Sequence, residues 1–225
     1  MHPLTPAPEP ISAAAPAPAK VGRPLLHTPE QLLDRLAQAM IDLLTEQGGN
    51  ADVSVAQIAA RAKVSKRTVY TVIASKEELI AHVIRRDAQA VTGMLDSPVQ
   101  SANAARATLA HFLARWAHLA CSPAAVGIFV MAIRERNRYP ALGAAYQGAR
   151  LTFGLQKLAA WLARMDAQQF IAVSDPALSA EFLLTLAASE PQRQLALGSA
   201  APPSDAALER RVAAILALVL SNGLP

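Results

Sequence analysis

An all-α fold is predicted by three observations. Alanine and leucine dominate the apolar residues, which make up 52% of a 225-residue chain, and both favour helix over sheet. Aromatics are only 4%, and no run alternates β-branched or aromatic residues with polar ones as strands do. Helix start signals recur along the chain, at Thr28-Pro29, Ser54, Ser65, Ser75, Ser101, Ser122-Pro123, Asp175-Pro176 and Ser204.

The elements follow in order. Residues 1–24 form a Pro/Ala-rich tail that ends in a short basic arm, Lys20-Val21-Gly22-Arg23-Pro24. Its closely spaced prolines forbid a helix and predict a disordered, partly polyproline-II segment. A first helix starts at Thr28, with Gln31 completing a capping box, and Gly48-Gly49 ends it. Leu32, Leu33, Leu36, Met40, Leu43 and Leu44 give it one apolar stripe. A second helix runs from about Val55 to Ala62 and a third from Lys66 to about Ile73. A long fourth helix follows Ser75, with Glu78 at its N3 position, and stops at Asp96-Ser97-Pro98. Further helices are expected over 101–121, 123–136, 140–165, 176–189 and from Ser204 to Ser221, with a loop at 198–203. No fixed period repeats, so a solenoid is not expected. The expected domains are 25–85 and 86–225, sharing the fourth helix.

Bulk chemistry narrows the class. The net charge of +4 decides nothing by itself; its placement matters more. Cys121 is the single cysteine, so an internal disulfide or a CxxC metal site is excluded and a reduced, cytoplasmic setting is expected. The densest apolar run, Val212 to Leu220, is far short of the roughly 20 residues of a membrane span. No basic start and apolar block opens the chain, so neither a secretory signal nor a membrane partner is expected. No GxSxG, HExxH, Gly-rich phosphate loop or carboxylate pair is present, so an enzyme is not expected. Cofactor and metal are expected to be none; His111 and His118 share a face but lack a third ligand nearby.

The stretch SVAQIAARAKVSKRTVYTVIASK, residues 54–76, holds Arg61, Lys63, Lys66, Arg67 and Lys76 and no acid. Acids resume at once with Glu77 and Glu78. Val69 and Ile73 can face Ile58, Ala59 and Val64 to form a small core. That leaves Lys66, Arg67, Tyr70 and Thr71 outward, a donor-rich set suited to phosphates and base edges. Helix, short turn and basic helix is the helix-turn-helix arrangement for reading double-stranded DNA. The alternative is a basic hairpin that is merely solvated, on an all-helical protein–protein adaptor.

These residues resemble the helix-turn-helix of the TetR/AcrR family of transcriptional regulators. The resemblance rests on Ser54, Ile58-Ala59, Val64-Ser65, Thr68-Val69-Tyr70 and Ser75-Lys76-Glu77-Glu78-Leu79. It covers roughly 25–85, with a looser match at 134–140 before the long seventh helix. It implies a three-helix DNA-binding head joined by helix four to a helical bundle for ligand binding and dimerisation. It implies that Tyr70 and Lys76 contact phosphates, that Ser54 and Ser65 cap near the backbone, and that Lys66, Arg67, Thr68 and Thr71 face the groove. Arg23 would reach the minor groove. It implies a repressor that binds a palindromic operator as a dimer and is released by a small apolar molecule.

The sequence departs from the family pattern at three positions. The turn residue that is usually glycine is Lys63, which also joins the basic face. The usual small residue after Lys66 is Arg67. The usual aromatic is replaced by Ile73. Lysine in such a turn must accept positive φ or relax the corner, at about 1 kcal/mol.

In the body, the middle helices hold His111, Phe112, Trp116, Phe129, Met131, Arg134, Tyr146 and Phe153, residue types that line ligand cavities and also build ordinary cores. The last two helices are apolar on more than one side. Phe182, Leu186, Leu208, Val212, Ile215 and Val219 are therefore expected at a homodimer interface, with a monomeric core as the alternative.

Overall fold

The computed structural model describes residues 28–47, 53–137 and 140–221; the tail, Arg23 and the Gly48-Gly49 stop lie outside these. Helix α1 (Pro29–Glu46) opens with the expected capping box. Thr28 N donates to Gln31 Oε1 at 3.0 Å and Gln31 N donates to Thr28 Oγ1 at 3.2 Å. α1 buries Leu32, Leu36, Met40, Leu43 and Leu44. Helix α2 (Val55–Arg61) has a matching box between Ser54 and Gln57.

Helix α3 (Lys66–Val69) is shorter than the sequence predicts. Beyond Val69 the backbone continues in tight turns, with Thr71 N on Thr68 O and Val72 N on Val69 O. Thr68, Val69, Thr71, Val72 and Ile73 are β-branched, which disfavours a continuing helix. Thr71 Oγ1 also donates to Thr68 O at 2.6 Å, so a side chain takes a carbonyl that helix would use.

Helix α4 (Lys76–Thr92) is capped by Ser75 and ends in a 3-10 turn, Gly93–Asp96. Glu78 does not close a reciprocal box; its Oε2 accepts from Ala74 N, one residue before the cap. α5 (Ala102–Ala120), α6 (Pro123–Arg134) and α7 (Pro140–Ala149) follow. A π-turn, Arg150–Gln156, joins α7 to α8 (Lys157–Ala167), so the long helix predicted over 140–165 is present with a wide turn inside it. α9 (Pro176–Leu184) passes through a second π-turn, Thr185–Ser189, into α10 (Glu190–Ala196). The sequence predicts an end at Ser189 because Pro191 cannot donate to a helix ladder. The wide turn just before it opens that ladder, so the proline enters at the first turn of α10. α11 (Asp205–Ser221) closes the chain. No β-strand occurs among the described residues, and none of their helices is by itself long and apolar enough to cross a membrane.

Two apolar cores result. One joins the head helices with Ala124, Ile128 and Met131 of α6 and Leu142 of α7. The other fills the body around Phe112, Leu113, Trp161 and Leu162. α4 feeds both, with Leu79, Ile80 and Val83 in the first and Ala88 and Val91 in the second. Its far end is tied to α8, where Lys157 Nζ lies 2.9 Å from Asp96 Oδ1 and Arg164 donates to Leu95 O at 2.6 Å.

Candidate nucleic-acid interface and effector cavity

The corner between α2 and α3 is held by apolar contacts and caps. Ile58, Ala59, Val69 and Ile73 are buried together, with Val64 packed against them. Lys63 takes φ +54, so the turn keeps its left-handed residue although a side chain stands there. Ser65 Oγ accepts from Thr68 N at 3.0 Å and lies 2.8 Å from Thr68 Oγ1. Thr68 is thus half-buried with its hydroxyl engaged. Lys66, Arg67, Tyr70 and Thr71 are exposed on one side, and Tyr70 is 56% exposed. Lys76 is the half-buried first residue of α4 and Ser54 the exposed cap of α2. These helix starts bring backbone N–H groups toward the same basic side, where an anion is favoured.

One cation of the stretch is already paired. Arg61 Nη1 donates to Glu46 Oε1 at 2.8 Å and Nη2 to Oε2 at 2.5 Å. These bonds hold the Glu46 carboxyl below its usual range. Sequence reading finds no acid within 54–76, but the fold brings one in from the end of α1.

A cavity of about 90 Å³ lies where head and body meet. α4 contributes Val83, Ile84, Asp87 and Ala88; α5 and α6 contribute Trp116, Leu119, Ala120, Ala124, Ala125 and Ile128. Tyr146 of α7, and Leu184, Ala188, Ser189 and Gln192 from the α9–α10 segment, close it. Gln192 is 8% exposed and bonded at both ends: Tyr146 Oη donates to its Oε1 at 3.2 Å, and its Nε2 donates to Ala120 O at 3.0 Å.

Of the cavity residues expected from sequence, the structure brings Trp116 and Tyr146 to this wall. Phe129 stands behind it, its ring centroid 5.7 Å from that of Tyr146. Phe112 is buried in the body core, 6.1 Å from Trp116 by centroids, and does not line the space. Met131 belongs to the head core, Arg134 is exposed at the end of α6, and Phe153 packs on the body core from the first π-turn. His111 lies in a separate cleft with His118, Asp205 and Glu209. No group of three or more His, Cys, Asp or Glu among the described residues is placed to hold a metal. Sequence reading passed over Asp87, Gln192 and the alanine wall. The alanines were the available signal, since small residues on facing helices leave room.

The apolar excess near the C-terminus divides into two surfaces. Leu208, Val212 and Ile215 are buried against the body core of their own protomer, and Val219 packs beside them, so this stripe does not face a second copy. Leu178, Phe182 and Leu186 recur every fourth residue on α9 and its π-turn and are 38%, 47% and 40% exposed. Leu218 is 64% exposed on α11. Sequence periodicity shows two apolar stripes on these helices without showing which one the body covers.

Residues 42–83 match the profile described as bacterial regulatory proteins of the tetR family. Residues 107–222 match that described as the AefR-like transcriptional repressor C-terminal domain, which spans more than half of the chain. The chain belongs to the TetR family. It is a transcriptional regulator with a DNA-binding head, not an enzyme.

Solved structures of TetR-family size share this architecture. FrrA, a flavonoid-responsive regulator, is 26% identical, with a TM-score of 0.59 over 87% of this chain and 98% of its own. A protein from Mesorhizobium loti assigned to the TetR-family regulators is 22% identical, with a TM-score of 0.67 over 85% and 98%. FadR of Bacillus subtilis, solved with stearoyl-CoA, is 17% identical, with a TM-score of 0.62 over 84% and 97%. The latter two likenesses concern the fold. A search of curated proteins found no match. In TetR-family terms, the α2–α3 corner is the DNA-facing motif of this chain and α5–α11 its C-terminal domain.

Proposed function

We propose that this TetR-family chain is a homodimeric repressor that occupies a palindromic operator until a small, mainly apolar molecule enters the cavity. The observation that carries this reading is that α4 belongs to both sites. Lys76 begins the helix beside the DNA-facing corner, and Val83, Ile84, Asp87 and Ala88 of the same helix line the cavity. At 1.5 Å per residue, Lys76 and Asp87 are about 16 Å apart along the axis. A guest that shifts α4 therefore tilts the head. It must bind the DNA-incompetent state better, and its coupling to DNA is reciprocal.

On DNA, Tyr70 and Lys76 grip phosphates, with Ser54, Lys63 and Ser65 close to the backbone. Lys66, Arg67, Thr68 and Thr71 face the major groove. The exposed Leu178, Phe182, Leu186 and Leu218 supply the face on which two protomers join. The paired heads then reach successive grooves about 34–36 Å apart. The chain works in the cytoplasm, where its DNA is. FrrA is named for its response to flavonoids, which supports a ligand-responsive reading.

Selection of bound duplexes from a random pool, followed by gel shifts, tests this. A palindrome should be enriched. Binding without sequence preference at moderate salt would sink the operator reading and favour a solvated basic head. Lys76→Ala should weaken all duplexes alike and lower the salt slope by about 1. Arg67→Ala should relax preference at one base position by about 1–3 kcal/mol.

A further inference from the structure

One cavity residue is at odds with a wholly apolar guest. Asp87 is the single charged group in the wall, and its side chain is 27% exposed. Its Oδ1 faces both Nε and Nη2 of Arg86 at 3.1 Å. Its Oδ2 has no hydrogen-bond partner among the described residues. Arg86 does not line the cavity. A half-buried carboxylate with an unused oxygen is costly unless something donates to it.

The other polar fittings of the wall do not compete for such a donor. Gln192 is committed at both ends, to Tyr146 and to Ala120. The Tyr146 hydroxyl spends its proton on Gln192. The wall therefore offers an acceptor at Asp87 and two aromatic rings, Trp116 and Tyr146, among aliphatic side chains. A carboxylate with aromatic faces is the chemistry that holds an organic cation. The volume limits its size: the cavity measures about 90 Å³, and a space of roughly 150 Å³ holds benzene. One small ring is about the upper limit.

We propose that the effector is a compact organic ammonium ion, its nitrogen donating to Asp87 Oδ2 and its apolar part lying against Ile84, Ile128 and Leu184. This rests on the reading of the cavity as the effector site and adds the charge and size of the occupant. The recognising carboxylate sits on α4, so the polar contact is made to the helix that carries the head.

Benzylamine, benzyl alcohol and benzoate share one ring and differ in charge. Each is titrated into the full-length protein, followed by calorimetry and by tryptophan emission, to which Trp116 in the wall reports. Benzylamine should bind at least about ten-fold more tightly than the alcohol. Asp87→Asn should erase that difference and leave alcohol binding intact, which also shows that the variant is folded. Asp87→Glu should retain the preference. Equal binding of amine and alcohol overturns the proposal and leaves the cavity reading standing. Tightest binding of benzoate also overturns it and makes Arg86 the recognising group. Binding of none of the three overturns the proposal together with the cavity reading.

Discussion

A Cβ at Gly154 would stand 2.7 Å from Cη2 and 2.9 Å from Cζ2 of Trp116, the ring that walls the cavity. The absence of a side chain in the first π-turn therefore fixes where that ring lies. Gly154→Ala should overpack the contact, at about 1–3 kcal/mol, and press Trp116 toward the cavity. A lower Tm with altered tryptophan emission and a weaker effector response is the expected result. Unchanged emission would show that Leu184, whose Cδ1 is also near at 3.2 Å, absorbs the methyl instead.

Glu46 neutralises Arg61 through paired hydrogen bonds, at the back of the α2–α3 corner. Glu46→Gln should leave a guanidinium available to phosphate. Binding to non-specific duplex should strengthen, and the log–log salt slope should steepen by about 1. An unchanged slope would show that Arg61 stays out of reach of the DNA backbone.

Leu208 and Phe182 were both expected at the dimer interface, but the structure gives them different surroundings, 3% against 47% exposed. Leu208→Ala should cost about 2–5 kcal/mol as a core cavity, with assembly altered only through lost fold. Phe182→Asp should give a folded monomer by light scattering. A dimeric Phe182→Asp would move the interface away from α9.

Glu190 accepts from Arg193 Nε and Nη2, each at 2.7 Å, and from Gln194 Nε2 at 2.9 Å. The Arg193 hydrogen bonds are the main cause of its carboxyl falling from 4.5 to about 2. A lowered folded-state value stabilises above the unfolded one and is lost as pH falls. The contribution should therefore be full above about pH 4.5 and fade toward pH 2. The pair is exposed, so screening keeps the effect small and salt reduces it further. Glu190→Gln should make acid unfolding over that window less steep, as read by circular dichroism. An identical acid limb would mean that the pair persists in the unfolded chain.

Lys63 adopts the left-handed conformation that glycine accepts without cost. Lys63→Gly should raise stability by about 1 kcal/mol. Affinity for all duplexes should fall slightly with the lost charge. A lower Tm would show that the lysine stem contributes packing that outweighs the backbone strain.

The head was legible because its signals are local. Thr28 with Gln31 and Ser54 with Gln57 form their boxes within four residues, and the Val69–Ile73 pair falls out of helical spacing. The cavity was less legible because its wall is assembled from α4, α5, α6, α7 and the α9–α10 segment, whose registers no local pattern relates. Bulky side chains drew attention to Phe112 and Met131, yet alanines make most of the room. The helix beyond Ser189 was hidden by Pro191, which reads as a stop unless a wide turn precedes it.

That wide turn also bears on how the effector range of such a protein can drift. A π-turn holds one residue more than the α-turn it replaces. Deleting one residue from Thr185–Ser189 would restore an ordinary helix and swing everything after it by about 100°. Gln192 would leave Tyr146, and the floor of the cavity would be rebuilt without any substitution in it. Length change by a single codon is thus an evolutionary step as large as several point mutations.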